Sequence, residues 1–138
     1  MKNILIDAGP LIALFNRNDK YHNKIKDFLK TFSGKLITTW PVITEVSHML
    51  DFNIQTQIDF LTWINLGAVN IENIDNNDIT RIIELSKKYS DVPMDLADGS
   101  LVALSEKINI KEIITIDSDY YIYRTINKEM LENIFDYR

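Results

Sequence analysis

Residues 2–14 read KNILIDAGPLIAL, and their reading decides the fold. Ile4, Leu5 and Ile6 form an apolar run rich in β-branched residues, too short for a helix and bounded by Gly9 and Pro10. Such a run predicts a strand buried on both faces. It stops at a bare carboxylate, Asp7. Ala8, Gly9 and Pro10 turn the chain, and Leu11, Ile12, Leu14 and Phe15 resume it with helical spacing. A buried strand therefore ends in an acid, at the edge where open α/β sheets keep their sites. Asp7 also suits the plainer task of capping the helix that follows, with Pro10 in its first turn. Taken alone, the stretch supports both readings.

Outward from this stretch, strands and helices alternate. Lys20–Phe32 predicts an amphipathic helix with Tyr21, Ile25, Phe28, Leu29 and Phe32 on one face, ended by Gly34. Leu36–Thr39 predicts a second strand. Pro41 opens a helix through Leu50 whose apolar side carries Val42, Ile43, Val46 and Met49. Ile54–Leu66 forms another helix, closed by Gly67, and Ala68–Ile71 a third strand. Asp75 or Asn76 caps a helix running to about Tyr89. A loop at Asp91–Pro93 precedes a strongly apolar helix, Leu96–Ile108. Ile113–Ile116 predicts a fourth strand, followed by a Tyr-rich turn. Thr125–Arg138 has the weakest pattern, with Glu132–Phe135 as a candidate edge strand. The alternation defines an α/β class with a mainly parallel sheet.

The 138 residues suit one domain, residues 1–138, with no repeat or linker. Cysteine is absent, which excludes disulfides and thiolate metal sites and fits a reducing compartment. No apolar run reaches membrane-spanning length, and Asp7 and Pro10 interrupt any signal-peptide pattern. The expectation is a soluble cytoplasmic protein. The net charge of −5 argues against nucleic-acid binding by bulk charge. Its distribution is uneven. Arg17, Lys20, Lys24, Lys26, Lys30 and Lys35 outnumber Asp19 and Asp27 in one stretch, and acids dominate Asp51–Glu84. A solvated helix face explains either run, but the basic one is the best candidate for holding phosphates.

Five acids stand where a structural acid is unexpected. Asp7 ends strand one. Glu45 lies inside an apolar helix. Asp95 and Asp98 share a face at i and i+3 at the start of the buried helix. Asp117 follows strand four, and parallel strands bring it to the same edge as Asp7. Each has a modest explanation alone: Asp95 as a cap, Asp117 as a turn residue, Glu45 as a surface residue. Together, several carboxylates without basic partners repel one another and call for a cation. With no Cys and only His22 and His48, the ligands are hard oxygens, which suit Mg2+ or Mn2+ better than zinc. Such centres serve phosphoryl transfer. Setting these five aside leaves 15 acids against 15 bases, so the acidic balance is no obstacle to an anionic substrate.

The segments IDAGPLIALFNRNDKYH (6–22), TEVSHML (44–50), MDLADGSLVALSE (94–106) and TIDSDYY (115–121) resemble the PIN-domain ribonucleases, and most of all the VapC-type toxins of toxin–antitoxin pairs. The resemblance implies a three-layer α/β/α sandwich with strand one central, and a metal-dependent endoribonuclease that leaves a 5′-phosphate. It places the four family acids on Asp7, Glu45, Asp98 and Asp117, with Asp7 and Asp98 holding the principal metal. Asp95 becomes a supporting acid, Thr115 a hydroxyl that precedes the fourth acid, and Asp119 an outer partner of the cluster. Arg17, Lys20 and Lys24 would position the RNA backbone. A cognate antitoxin and a homodimer are the implied protein partners. Two positions depart from the family: Ala8 replaces a hydroxyl residue, and Gly99 replaces Ala. A helix-interior glycine costs about 1 kcal/mol unless close packing needs the missing methyl. Three rival readings remain. A receiver-type signalling domain would want paired acids after strand one and a lysine after the last strand, and neither is present. A non-catalytic binding module of the same fold would have lost a ligand. An RNA-processing PIN nuclease without antitoxin is the nearest functional neighbour.

Overall fold

The computed structural model describes residues 2–138. Strand β1 (Asn3–Ile6) is the middle of a five-stranded sheet of order β3-β2-β1-β4-β5. All four pairings are parallel, so the sheet is wholly rather than mainly parallel. Ile4, Leu5 and Ile6 are fully buried, because a central strand of such a sheet is covered on both faces. The other strands are β2 (Lys35–Thr39), β3 (Val69–Glu72), β4 (Glu112–Ile114) and β5 (Glu132–Asn133).

Six helices connect them: α1 (Ala8–Phe15), α2 (His22–Thr31), α3 (Trp40–Met49), α4 (Ile54–Asn65), α5 (Asn76–Lys88) and α6 (Leu96–Ile108). From β1 the chain moves outward through β2 to β3, then returns across the sheet to β4 and β5. Right-handed crossovers place the helices of these two excursions on opposite faces, which makes the three layers. The reversal lies between β1 and β4, so their carboxyl ends flank the switch point of the sheet.

Local chemistry sets the helix ends. Asp75 and Asp78 form a reciprocal capping box at α5. Asn53 caps α4 by accepting from the N–H groups of Gln55 and Thr56. Gly67 adopts φ +94° between α4 and β3, a left-handed conformation that favours glycine. Helix α6 is buried from Ala97 through Ser105, packed against α5, α3 and β2. A Cβ on Gly99 would lie 3.0 Å from Ile82 Cγ2. A methyl at position 99 would therefore press on Ile82, which would have to give by a few tenths of an ångström.

Several boundaries differ from the sequence-based expectation. Helix α2 starts at His22 rather than Lys20, and it ends at Thr31, ahead of Gly34. Strands β4 and β5 are shorter than Ile113–Ile116 and Glu132–Phe135. Met49 is 53% exposed; at the last turn of α3 the apolar face has left the core, while Val42, Ile43 and Val46 remain buried. Among the described residues, no helix is long and apolar enough to cross a membrane.

Candidate metal centre

Asp7 lies immediately beyond β1, and its N–H donates to the Ile114 carbonyl at 3.0 Å. It caps α1 and also faces the cleft at this edge. Its Oδ1 accepts from the Ala8 N–H at 2.8 Å, and its Oδ2 accepts from the Thr115 hydroxyl at 2.9 Å. The Thr115 oxygen in turn accepts from the Asp117 N–H at 2.9 Å. One buried hydroxyl therefore ties the ends of β1 and β4 together. Asp117 Oδ1 accepts from the Asp119 N–H at 2.9 Å, which fixes a 3-10 turn over Ser118–Tyr121.

Asp98 reaches the same place from the first turn of α6. Asp95, the N-cap, accepts from the Asp98 N–H at 2.8 Å, so its capping role is real. Tyr120, buried, donates its hydroxyl to Asp98 Oδ1 at 3.3 Å. One carboxylate oxygen each from Asp7, Asp98 and Asp117 lies within 4.8 Å of the others. Glu45 and Asp95 stand outside this trio but line the same cleft of about 410 Å3. Among the described residues, no lysine, arginine or histidine lines it.

Burial without a counter-charge governs the titration. Asp7 is pushed up to about 7, chiefly by desolvation; the Ala8 N–H and the Thr115 hydroxyl pull it down, while Asp117 and Glu45 push it up. Asp98 rises to about 8, first by burial and then by the charges of Asp7, Asp95 and Asp117. Glu45 and Asp117 are raised as well, again by burial first. Buried beside these acids, the Tyr120 phenol is raised well above its ordinary value. Three converging carboxylates that would otherwise retain protons are a donor set suited to a hard divalent cation.

The remaining predicted residues stand elsewhere. Asp119 contributes its backbone to Asp117 rather than a side chain to the cleft. Arg17, Lys20 and Lys24 are absent from the acidic cleft. Arg17 lines a separate groove beside His22, Lys26 and Trp63. The Lys20 ammonium sits 4.9 Å from the centre of the Tyr21 ring, and Lys24 donates to the Tyr137 carbonyl at 3.0 Å.

Sequence reasoning missed Asn133. Its side-chain oxygen accepts from the Thr115 N–H at 3.2 Å and its amide donates to the Thr115 carbonyl at 3.0 Å. It thereby extends the β4–β5 ladder by a side chain and braces the residue that holds Asp7. An asparagine 18 positions away in a weakly patterned segment carries no signal of this.

A parallel α/β sheet with carboxylates gathered at its switch point defines a class of proteins that present hard-oxygen ligands at the sheet's carboxyl edge. The PIN domain model matches residues 4–126, and the chain belongs to the PIN-domain family. It is 20% identical over 120 residues to Ribonuclease VapC26 of Mycobacterium tuberculosis, a match covering 86% of this chain and 89% of that one. Among solved structures, M. tuberculosis VapC20, described as a Sarcin-Ricin loop cleaving toxin, superposes with a TM-score of 0.78 at 18% identity, over 86% of this chain and 93% of that one. VapBC2 from Rickettsia felis, solved bound to a DNA fragment from its promoter, gives 0.65 at 14% identity, over 96% and 98%. A toxin–antitoxin complex from Klebsiella pneumoniae gives 0.60 at 23% identity, over 83% and 87%.

Proposed function

We propose that this chain is a divalent-metal-dependent endoribonuclease, acting in the cytoplasm as the toxin of a type II toxin–antitoxin pair. The convergence of Asp7, Asp98 and Asp117 is the observation that carries the reading. The names of the relatives, a ribonuclease and the toxins of toxin–antitoxin complexes, support its biological side. In this reading one PIN-like domain spans residues 1–138, and its partners are RNA, an antitoxin protein and a second copy of the chain.

Asp7, Asp98 and Asp117 would hold Mg2+ or Mn2+, with Glu45 completing the set and Asp95 supporting it. Bound there, such an ion supplies activation of water and charge stabilisation at a phosphodiester. The chain's own residues do the rest. Thr115 keeps Asp7 Oδ2 aimed at the cleft and lowers its proton affinity. The Ala8 N–H holds the other oxygen, so the carboxylate arrives preorganised. Asp117 is oriented by two backbone-linked bonds, one at each end of its residue. Arg17, Lys20 and Lys24 remain the proposed contacts to the RNA backbone, outside the acidic cleft.

The test is incubation of purified protein with total RNA, with Mg2+ or with chelator, and sequencing of new ends. Discrete cleavage with 5′-phosphate ends should appear with metal alone and vanish in Asp7→Asn and Asp98→Asn. Cleavage that persists in chelator, or in either variant at saturating Mg2+, would sink the assignment.

A further inference from the structure

The acidic cleft continues past Glu45 and Asp95 into a second one. These two residues also line a cleft of about 570 Å3 whose other walls are Trp40, Pro41, Thr44, His48, Leu96 and Ala97. Its position follows from the topology. Trp40 begins α3 directly after β2, and Leu96 begins α6 directly after Asp95. Both lie at the carboxyl edge that carries Asp7. Trp40 is 55% exposed and Leu96 54% exposed. Other large apolar side chains are as exposed elsewhere on the surface, but Trp40 and Leu96 stand together in a cleft that adjoins the acids, and apolar surface gathered in a cleft is where ligands dock.

The chemistry of the walls narrows the ligand. Among the described residues the cleft has no lysine or arginine; its ionisable groups are His48 on α3 and two carboxylates on the side shared with the acidic centre, so acids outnumber bases. It therefore repels phosphate and offers an aromatic face with aliphatic flanks. A single-stranded nucleic acid has one neutral planar part, the base, and single-strand binders take bases by stacking them on aromatic side chains. A phosphodiester at Asp7, Asp98 and Asp117 puts a neighbouring nucleotide within reach of this adjoining space.

We propose that Trp40 and Leu96 form a nucleobase subsite, in which the base of a nucleotide next to the scissile phosphate stacks on the Trp40 indole. This rests on the ribonuclease reading and deepens it. The subsite selects unpaired RNA, because a base held in a duplex stack cannot reach the indole. It also gives the protein a determinant of sequence choice separate from the acids.

Two measurements test it. The first reports binding without cleavage. The chain has two tryptophans, so Trp63→Phe leaves Trp40 as the sole reporter. With Ca2+ in place of Mg2+, a short single-stranded RNA should quench Trp40 fluorescence saturably, and the same RNA annealed to its complement should not. The second is kinetic. With Mg2+, Trp40→Ala should raise KM for that RNA about 10- to 100-fold with a smaller change in kcat, and Trp40→Phe should recover most of the loss. An abasic site at one position beside the cleavage point should raise KM in the wild type and have no further effect in Trp40→Ala. An unchanged KM in Trp40→Ala, or fluorescence that ignores RNA, overturns the subsite. Fluorescence that changes on dilution of the protein and not with RNA overturns it in favour of a contact between two copies. Saturable quenching by a single strand with no cleavage in any metal leaves the subsite standing and refutes the nuclease reading instead.

Discussion

Replacing Asp98 by asparagine should stabilise the metal-free protein, and by an amount that depends on pH. Folding raises Asp7 to about 7 and Asp98 to about 8, against about 3.9 in an unfolded chain. A carboxyl raised by folding favours the fold while protonated. Its contribution is fully present below the unfolded value and is lost as pH rises through the folded one. A tenfold difference in proton affinity between the folded and unfolded chain is worth about 1.4 kcal/mol. Because the acids titrate as a group, the loss belongs to the cluster as a whole and falls between about pH 4 and 8, and removing one charge recovers only part of it. Asp98→Asn removes one charge and keeps an oxygen that can accept from Tyr120. In chelator it should match wild type near pH 4.5 and exceed it by about 2–3 kcal/mol at pH 8, roughly 6–10 °C in Tm for a chain of 138 residues. Metal should cancel that advantage: a hundredfold excess over Kd adds about 2.7 kcal/mol to wild type and much less to the variant. The assay is a thermal melt of both proteins at pH 4.5 and 8, each with chelator and with Mn2+. If Asp98→Asn melts below wild type in chelator at pH 8 and keeps the full Mn2+ shift, Asp98 is a structural residue and not a metal ligand.

Thr115→Val removes a hydroxyl that donates to Asp7 and accepts from Asp117. It should cost about 2 kcal/mol and weaken Mn2+ binding in a calorimetric titration, because that hydroxyl lowers the proton affinity of Asp7; an unchanged Kd would remove Thr115 from the centre. Asn133→Ala strips both side-chain bonds from the Thr115 backbone and should lower urea stability by about 1–2 kcal/mol. A midpoint equal to wild type would mean the brace is idle. Lys20→Ala with Lys24→Ala should raise KM for RNA and flatten its salt dependence by one or two phosphate contacts; the same slope as wild type means that neither lysine meets phosphate.

The sequence by itself determined the α/β alternation, the buried first strand and the five acids of interest. These are local properties. Periodicity, punctuation by Gly and Pro, and an acid ending an apolar run are all visible along the chain. It also placed Asp7 and Asp117 at one edge, since parallel strands leave no other choice. Tertiary structure decided what depends on three-dimensional distance. It separated Asp7, Asp98 and Asp117, which converge, from Glu45 and Asp95, which line the rim. It showed that Asp7 caps α1 with one carboxylate oxygen while Thr115 holds the other, so the cap is compatible with a place in the acidic cleft. It placed the glycine at position 99 in tight contact with Ile82 across the α5–α6 seam, where an added methyl would press on that side chain. Asn133 carried no signal because its partner Thr115 is 18 positions away, and Trp40 carried none because the start of α6, which brings Asp95 and Leu96 beside it, is distant in sequence. Burial, and with it the raised proton affinity of the acids, exists only once strands and helices distant in sequence have closed over them.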